Sequence, residues 1–121
     1  MTRFRPEGWP TLVPRIFTED VAGLAAFLEA VFGARSVVRG DAPAEVWIGE
    51  GVVLISEGGG RREPTSAFLY VYVEDADLIY QRAMAAGAET LEAPLETAYG
   101  DRRATFRDAW GNVWQAATRQ A

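Results

Sequence analysis

The chain states the same layout twice, and that duplication restricts its possible folds more than any other feature. In each half a short apolar run meets an acidic turn, continues as an amphipathic stretch and stops at a glycine. The first copy opens with residues 11–17 (TLVPRIF), turns at Glu19-Asp20, continues over 21–32 and stops at Gly33-Ala34. The second opens with residues 67–73 (AFLYVYV), turns at Glu74-Asp75, continues over 76–86 and stops at Gly87-Ala88. Asp20 and Asp75 are suited to accept the unpaired amides of a first helical turn, and Gly33 and Gly87 can take the left-handed conformation that ends a helix. Between these signals Leu24, Phe27, Leu28 and Val31 recur at helical spacing, as do Ala76, Ile79, Ala83 and Met84. Each copy therefore reads as strand, capped helix, glycine stop.

Three more strands follow each helix. Residues 36–39, 45–48 and 52–56 are separated by Gly- and Pro-containing turns, and so form a meander. Residues 89–92 lead into a loop over 94–100, then come 103–107, a turn at 108–112, and 113–117. The order βαβββ appears twice, in units of about 11–57 and 66–118 joined by a Gly-rich linker at about 58–65. The predicted class is α+β: two tandem βαβββ units forming a curved eight-stranded mixed sheet around a cleft, with helices on the outer face. At 121 residues the chain suits a single domain spanning 1–121.

The residue inventory narrows the chemistry. The sequence has no His, Cys or Lys, so imidazole ligands, thiolates and Schiff-base lysines are all ruled out. All 12 basic residues are Arg, and 17 acidic residues leave a net charge of −5, which opposes binding to nucleic-acid phosphates. No apolar run approaches the roughly 20 residues that span a bilayer, and the first ten residues lack the apolar core of a signal peptide. The expected address is the cytoplasm. The Gly58-Gly59-Gly60 run lacks the Gly-Lys-Ser/Thr ending of a phosphate loop.

Three segments carry a family resemblance. Glu19-Asp20-Val21 followed by Phe27, Phe32 and Gly33 is similar to the strand-to-helix entry and helix exit of the vicinal oxygen chelate superfamily. Val73-Glu74-Asp75 leading to Gly87-Ala88 repeats it. Tyr99-Gly100-Asp101-Arg102 and the stretch from Arg107 through Asp108, Gly111 and Asn112 to Trp114 resemble the family's tail. The resemblance covers about residues 11–118 and groups the chain with glyoxalase I, bleomycin-resistance proteins and extradiol dioxygenases.

Enzymes of that superfamily hold a divalent metal with four side chains. The resemblance places those positions at Val13, Leu54, Phe68 and Gln115. Such metals need imidazole or carboxylate ligands, and here there are three hydrocarbon groups and one amide. Glu57 lies nearby on the fourth strand, but a single carboxylate makes no site. Neither a metal nor another cofactor is expected, and metal-dependent glyoxalase or dioxygenase activity is disfavoured.

The same positions imply what lines the cleft. With Phe68 facing inward, alternation turns Tyr70 and Tyr72 the same way and makes an aromatic wall. Arg15 and Phe17 on the first strand and Leu54 on the fourth share that parity. Gln115 is the one polar group among the four positions, and Trp47, Tyr99 and Arg102 complete the candidate ligand-binding set. Each has a plainer alternative. The three rings could pack in the sheet or at a dimer interface, and Trp47 could close a hairpin. Arg102 could pair with a neighbouring carboxylate; otherwise Arg102 and Arg103 are suited to grip an anionic or carbonyl group.

Three functions remain open. The first is a metal-independent small-molecule binding protein, whose aromatic and acidic character suits a flat or cationic organic molecule. Resistance proteins of the family sequester a cationic antibiotic in a groove between paired subunits, so the resemblance implies a homodimer with a small organic ligand. The second is a metal-free lyase or isomerase in which Arg102 and Tyr70, Tyr72 or Glu57 act on a small carbonyl substrate. The third is a non-catalytic structural or regulatory module. Whether the two units pair within one chain or across two is not determined by sequence.

Overall fold

Asp20 and Asp75 cap two helices as their positions predict. The Asp20 carboxylate accepts from Gly23 N at 3.0 Å, and that of Asp75 from Leu78 N at 3.1 Å. The helices span Val21–Phe32 (α1) and Ala76–Ala85 (α2). Gly33 closes α1 in the left-handed region at φ 67°, where its N–H bonds to the Glu29 carbonyl. α2 is capped by Ala86, one residue ahead of Gly87, which takes φ 91°.

The structure, a computed structural model, describes residues 4–57 and 63–120. The predicted glycine tract at 58–60 lies outside the described residues, as does most of the linker. Two compact units divide the chain, one comprising Met1–Glu29 and Gly33–Thr65, the other Ala30–Phe32 and Ser66–Ala121. The first holds β1 (Arg15–Thr18), β2 (Arg35–Val37), β3 (Ala44–Ile48) and β4 (Gly51–Glu57). The second holds β5 (Phe68–Tyr72), β6 (Glu89–Glu96), β7 (Asp101–Arg107) and β8 (Val113–Arg119).

Each unit forms one four-stranded mixed sheet, and the two have the same topology. The strand orders are β1-β4-β3-β2 and β5-β8-β7-β6. In each, the first strand runs parallel to the last and the remaining pairs are antiparallel. The eight strands and two helices are those of the duplicated βαβββ pattern, and the fold is α+β.

Strand ends differ from the sequence reading for local reasons. β1 begins at Arg15 rather than at residue 11, just past Pro14. Pro14 has no N–H to donate, although its carbonyl still accepts from Leu54 N at 3.0 Å. β6 continues past Pro94 to Glu96, where the sequence suggests a loop. It is the edge strand, and its register shifts between Thr90 and Glu92 and again between Glu92 and Leu95, so Pro94 interrupts no central ladder.

The second unit buries Ala104, Phe106, Trp114 and Ala116 completely, and α2 packs over β6, β7 and β8 with Ala76, Ile79 and Ala83 buried. Phe32 adds its ring 5.5 Å from that of Trp114. In the first unit Leu24 and Leu28 of α1 are buried, as are Ile16, Val46 and Ile55 of its sheet. At about 25 cal/mol per Å² of apolar surface, each such side chain contributes on the order of 2 kcal/mol.

The tail motif is a structural clasp. The buried Asp108 carboxylate accepts from Trp110 N, Asn112 N and Asn112 Nδ2, each at 2.9 Å, and from Trp114 Nε1 at 2.8 Å. Asn112 Oδ1 in turn accepts from Ala67 N at 2.9 Å, tying the β7–β8 turn to the start of β5. Gly111 sits in this turn at φ 87°, a conformation few other residues adopt. Among the described residues no helix is long and apolar enough to cross a membrane.

Candidate functional site

Alternation along β5 leaves Phe68, Tyr70 and Tyr72 on the face of the second sheet away from α2. They are 65%, 37% and 61% exposed, whereas Leu69 and Val71 are half-buried. The Tyr70 and Tyr72 rings meet edge to face at 5.4 Å. Register extends this face across the sheet. Tyr70 aligns with Gln115 of β8, Gln115 with Thr105 of β7, and Thr105 with Glu92 of β6. Beside that row, Tyr72 aligns with Ala117, and Ala117 with Arg103.

The aromatic residues converge on one buried acid. Asp101, with no exposed surface, accepts from Tyr70 Oη at 2.7 Å and from Tyr72 Oη at 2.8 Å, both on Oδ2. Arg119 Nη1 reaches its other oxygen at 3.1 Å. These donors, Tyr70 first, hold the Asp101 carboxyl below the usual carboxylate range against the opposing effect of burial. Asp101 is therefore an anion at neutral pH. Desolvation, then the bonds to Tyr99 and Asp101, push the Tyr70 phenol well above its ordinary value. Tyr72 is raised as well, chiefly by Asp101.

Proton inventory then orients the network. A phenol has one proton, and that of Tyr70 is committed to Asp101. In the 3.1 Å contact between Tyr70 Oη and Tyr99 Oη, Tyr99 must therefore be the donor. Tyr99 Oη itself accepts from Arg103 Nη1 at 2.8 Å. The result is a one-way chain from Arg103 through Tyr99 and Tyr70 to Asp101. Arg103 is also clamped on Glu92 by two bonds of 2.8 and 3.0 Å, and Thr105 Oγ1 donates to Glu92 at 3.0 Å. The Arg103 bonds, opposed by partial burial, keep Glu92 below the usual range.

Of the residues singled out from sequence in this unit, Phe68, Tyr70, Tyr72, Tyr99 and Gln115 gather on or beside this face. Arg102 does not. It lies on the other side of β7, donating to Asp77 of α2 at 3.0 and 3.1 Å, with Glu96 at 3.9 Å. Its neighbour Arg103 is the guanidinium that joins the tyrosines. Asp101 and Thr105 are not among the candidate residues read from sequence, whereas Glu92 is one of the carboxylates suited to attract a cationic guest. Alternation over residues 101–107 could have shown the first two, because it puts Asp101, Arg103 and Thr105 on one face.

The remaining candidates belong to the first unit and share one sheet face by register. Arg15 aligns with Leu54, Leu54 with Glu45, and Phe17 with Ser56. Arg15 donates to Ser56 Oγ at 2.8 Å, and its guanidinium lies 4.8 Å over the Phe17 ring. Trp47 donates to Glu45 at 3.2 Å, meets Trp9 edge to face at 5.3 Å, and lies 5.6 Å from the Arg35 guanidinium. Burial would raise the Glu45 carboxyl, but Arg39 and Trp47 hold it below the usual range. A cavity of about 270 Å³ also opens in this unit, with Val21, Pro43 and Ile55 in its wall and Asp41 and Glu57 among its lining.

The four residues that the resemblance assigns to metal-ligand positions do not have the chemistry to hold a metal. In the first unit Val13 and Leu54 are half-buried hydrocarbon. In the second, Phe68 is an exposed ring, and Gln115 has its amide donating to Thr105 Oγ1 at 3.3 Å. Among the described residues no group of three or more carboxylates, imidazoles or thiols could hold an ion. No step through a metal follows from these residues.

Comparison with known proteins supplies the family context. The sequence pattern of the Glyoxalase/Bleomycin resistance protein/Dioxygenase superfamily matches residues 11–116. The uncharacterized proteins Mb0911c of Mycobacterium bovis and Rv0887c of Mycobacterium tuberculosis are each 28% identical over 87% of this chain. They are covered over 80% and 72% of their own lengths. Among solved structures, TioX from Micromonospora sp. ML1 superposes with a TM-score of 0.76 at 24% identity, covering 91% of this chain and 98% of that one. A glyoxalase/bleomycin resistance protein/dioxygenase family enzyme from Burkholderia phytofirmans PsJN superposes with a TM-score of 0.74 at 23% identity, covering 88% and 96%. At these identities the superpositions speak for the fold alone.

Proposed function

The chain belongs to the Glyoxalase/Bleomycin resistance protein/Dioxygenase superfamily, and from that premise we propose that it is a metal-independent binding protein for a flat aromatic or cationic organic molecule. The observation that carries this reading is the exposed run Phe68, Tyr70 and Tyr72 beside the anionic Asp101. Exposed rings in a contiguous strip mark interaction surfaces on soluble proteins, and their faces attract organic cations. The net charge of −5 favours a positive guest over a negative one. Sequestration of an antibiotic by a homodimer is the specific form that the family suggests.

A metal-free enzyme finds less support. Its Arg102 is engaged with Asp77, and the phenols of Tyr70 and Tyr72 hold their protons too firmly to serve as bases near neutral pH. The deciding experiment measures thermal shift and equilibrium dialysis with bleomycin-like glycopeptides and simple aromatic cations. Saturable binding that Tyr70→Ala or Tyr72→Ala weakens supports the reading. Binding that is absent across the panel, or untouched by both substitutions, rejects it.

A further inference from the structure

The direction of the tyrosine protons narrows the ligand further, on the assumption that the β5 face is the binding surface. Tyr70 and Tyr72 spend their only hydroxyl protons on Asp101, and Tyr99 spends its proton on Tyr70. None of the three phenols has a proton left for a guest. Tyr72 is the most available of them: it is 61% exposed, and among the described residues nothing donates to its Oη. Its lone pairs face outward because its proton is held inward. The nearby Thr105 hydroxyl is likewise committed to Glu92, and two edges of the Arg103 guanidinium are occupied by Glu92 and Tyr99.

We infer that Asp101 is a positioning residue that makes this aromatic face accept hydrogen bonds rather than donate them, with Tyr72 Oη as the acceptor for an N–H donor on the ligand. The ligand class is thereby an aromatic or flat molecule carrying a primary or secondary ammonium, or an amidine, rather than a quaternary ammonium or a carboxylate. A carboxylate would meet three phenol oxygens with no proton to offer, and the Asp101 charge behind them is already balanced by Arg119 at 3.1 Å, so the missing protons rather than the charge disfavour it. A quaternary ammonium could use the ring faces but not the lone pairs of Tyr72.

Equilibrium dialysis of the full chain against three matched probes tests this. They are a naphthylmethylammonium salt, its N,N,N-trimethyl derivative and naphthylacetate. The primary ammonium is expected to bind about tenfold more tightly than the trimethyl compound, as one charge-assisted hydrogen bond implies, with naphthylacetate weakest. Tyr72→Phe keeps the ring and should abolish that preference by weakening the primary ammonium more than the trimethyl compound. Asp101→Asn introduces an amide donor, releases a phenol proton toward the ligand and should improve naphthylacetate binding relative to the cations. If Asp101→Asn does not fold, the Tyr72→Phe comparison decides alone. Equal binding of the two cations, or a preference that survives Tyr72→Phe, overturns the acceptor assignment and leaves the aromatic-cation reading standing. Binding of none of the probes, or tightest binding of naphthylacetate, overturns both.

Discussion

Tyr70 Oη donates to Asp101 Oδ2 across 2.7 Å, joining an exposed aromatic strand to a carboxylate with no solvent exposure of its own. Tyr72 makes the same bond at 2.8 Å, so a single oxygen gathers two phenol protons. Because each proton has only one destination, this pair also dictates the direction of every hydrogen bond back to Arg103.

The network should respond to pH at both ends. Asp101, Glu92 and Asp77 have folded values below those of the unfolded chain, which titrates at about 4. Their stabilisation is complete above the unfolded value and is lost as pH falls through the folded values, so the Tm is expected to hold down to about pH 5 and drop below it. Tyr70 and Tyr72 are raised instead, so their contribution is present below the unfolded value of about 10 and disappears as pH climbs through the folded values. Ultraviolet titration, assigned with Tyr70→Phe and Tyr72→Phe, should show both phenols ionising at higher pH than a free tyrosine. Ordinary titration of both in the native protein would contradict the network.

Asp108 should be among the most sensitive positions for stability. Replacing it with Ala leaves two backbone amides, the Asn112 amide and the Trp114 indole without their acceptor, the last two being buried. The expected cost is at least about 3 kcal/mol, read from urea unfolding. A loss below about 1 kcal/mol would mean that water replaces the carboxylate there.

Arg102 and Arg103, adjacent in sequence, should behave differently. Arg102→Ala removes a pair with Asp77 on the helix side and is expected to leave probe binding intact. Arg103→Ala removes a positive charge and leaves the Glu92 carboxylate and a Tyr99 lone pair free on the tyrosine side, so it should tighten binding of the naphthyl ammonium probe by about tenfold. Equal effects of the two substitutions on the dissociation constant would argue that the face of β7 has no bearing on binding.

Added divalent metals should not matter. If Val13, Leu54, Phe68 and Gln115 occupy the family's ligand positions, as the resemblance implies, zinc, nickel or iron(II) should leave the Tm unchanged, and chelator treatment of purified protein likewise. Stoichiometric metal that survives dialysis, detected by elemental analysis, would refute the ligand assignment.

Much of the fold was legible before any coordinates. The span of α1 matches its apolar spacing residue for residue, and both Asp caps act as their positions suggest. These are local effects, decided within a turn or two of chain. β6 was harder to read, because Pro94 signals a loop unless one knows that the strand sits at an edge. The tail motif was recognised, but what Asp108 does in it depends on Trp114 and on Asn112 reaching back to Ala67.

The site divides along the same line. Alternation alone put Phe68, Tyr70 and Tyr72 on one face, because side chains of an extended strand must point to opposite sides in turn. The choice between Arg102 and Arg103, and the role of Asp101, depended on how β7 registers against β8 and how β8 registers against β5. Register joins residues some thirty positions apart (Tyr70 and Asp101 are an example, 31 apart), and it is chosen by the packing of whole sheets. Sequence by itself determined the duplicated βαβββ plan, the helix ends and the lack of any imidazole, thiol or lysine amine. Only the tertiary structure decided which guanidinium meets the tyrosines and where their protons point, because a hydroxyl has no fixed direction until a distant carboxylate is brought within hydrogen-bonding reach.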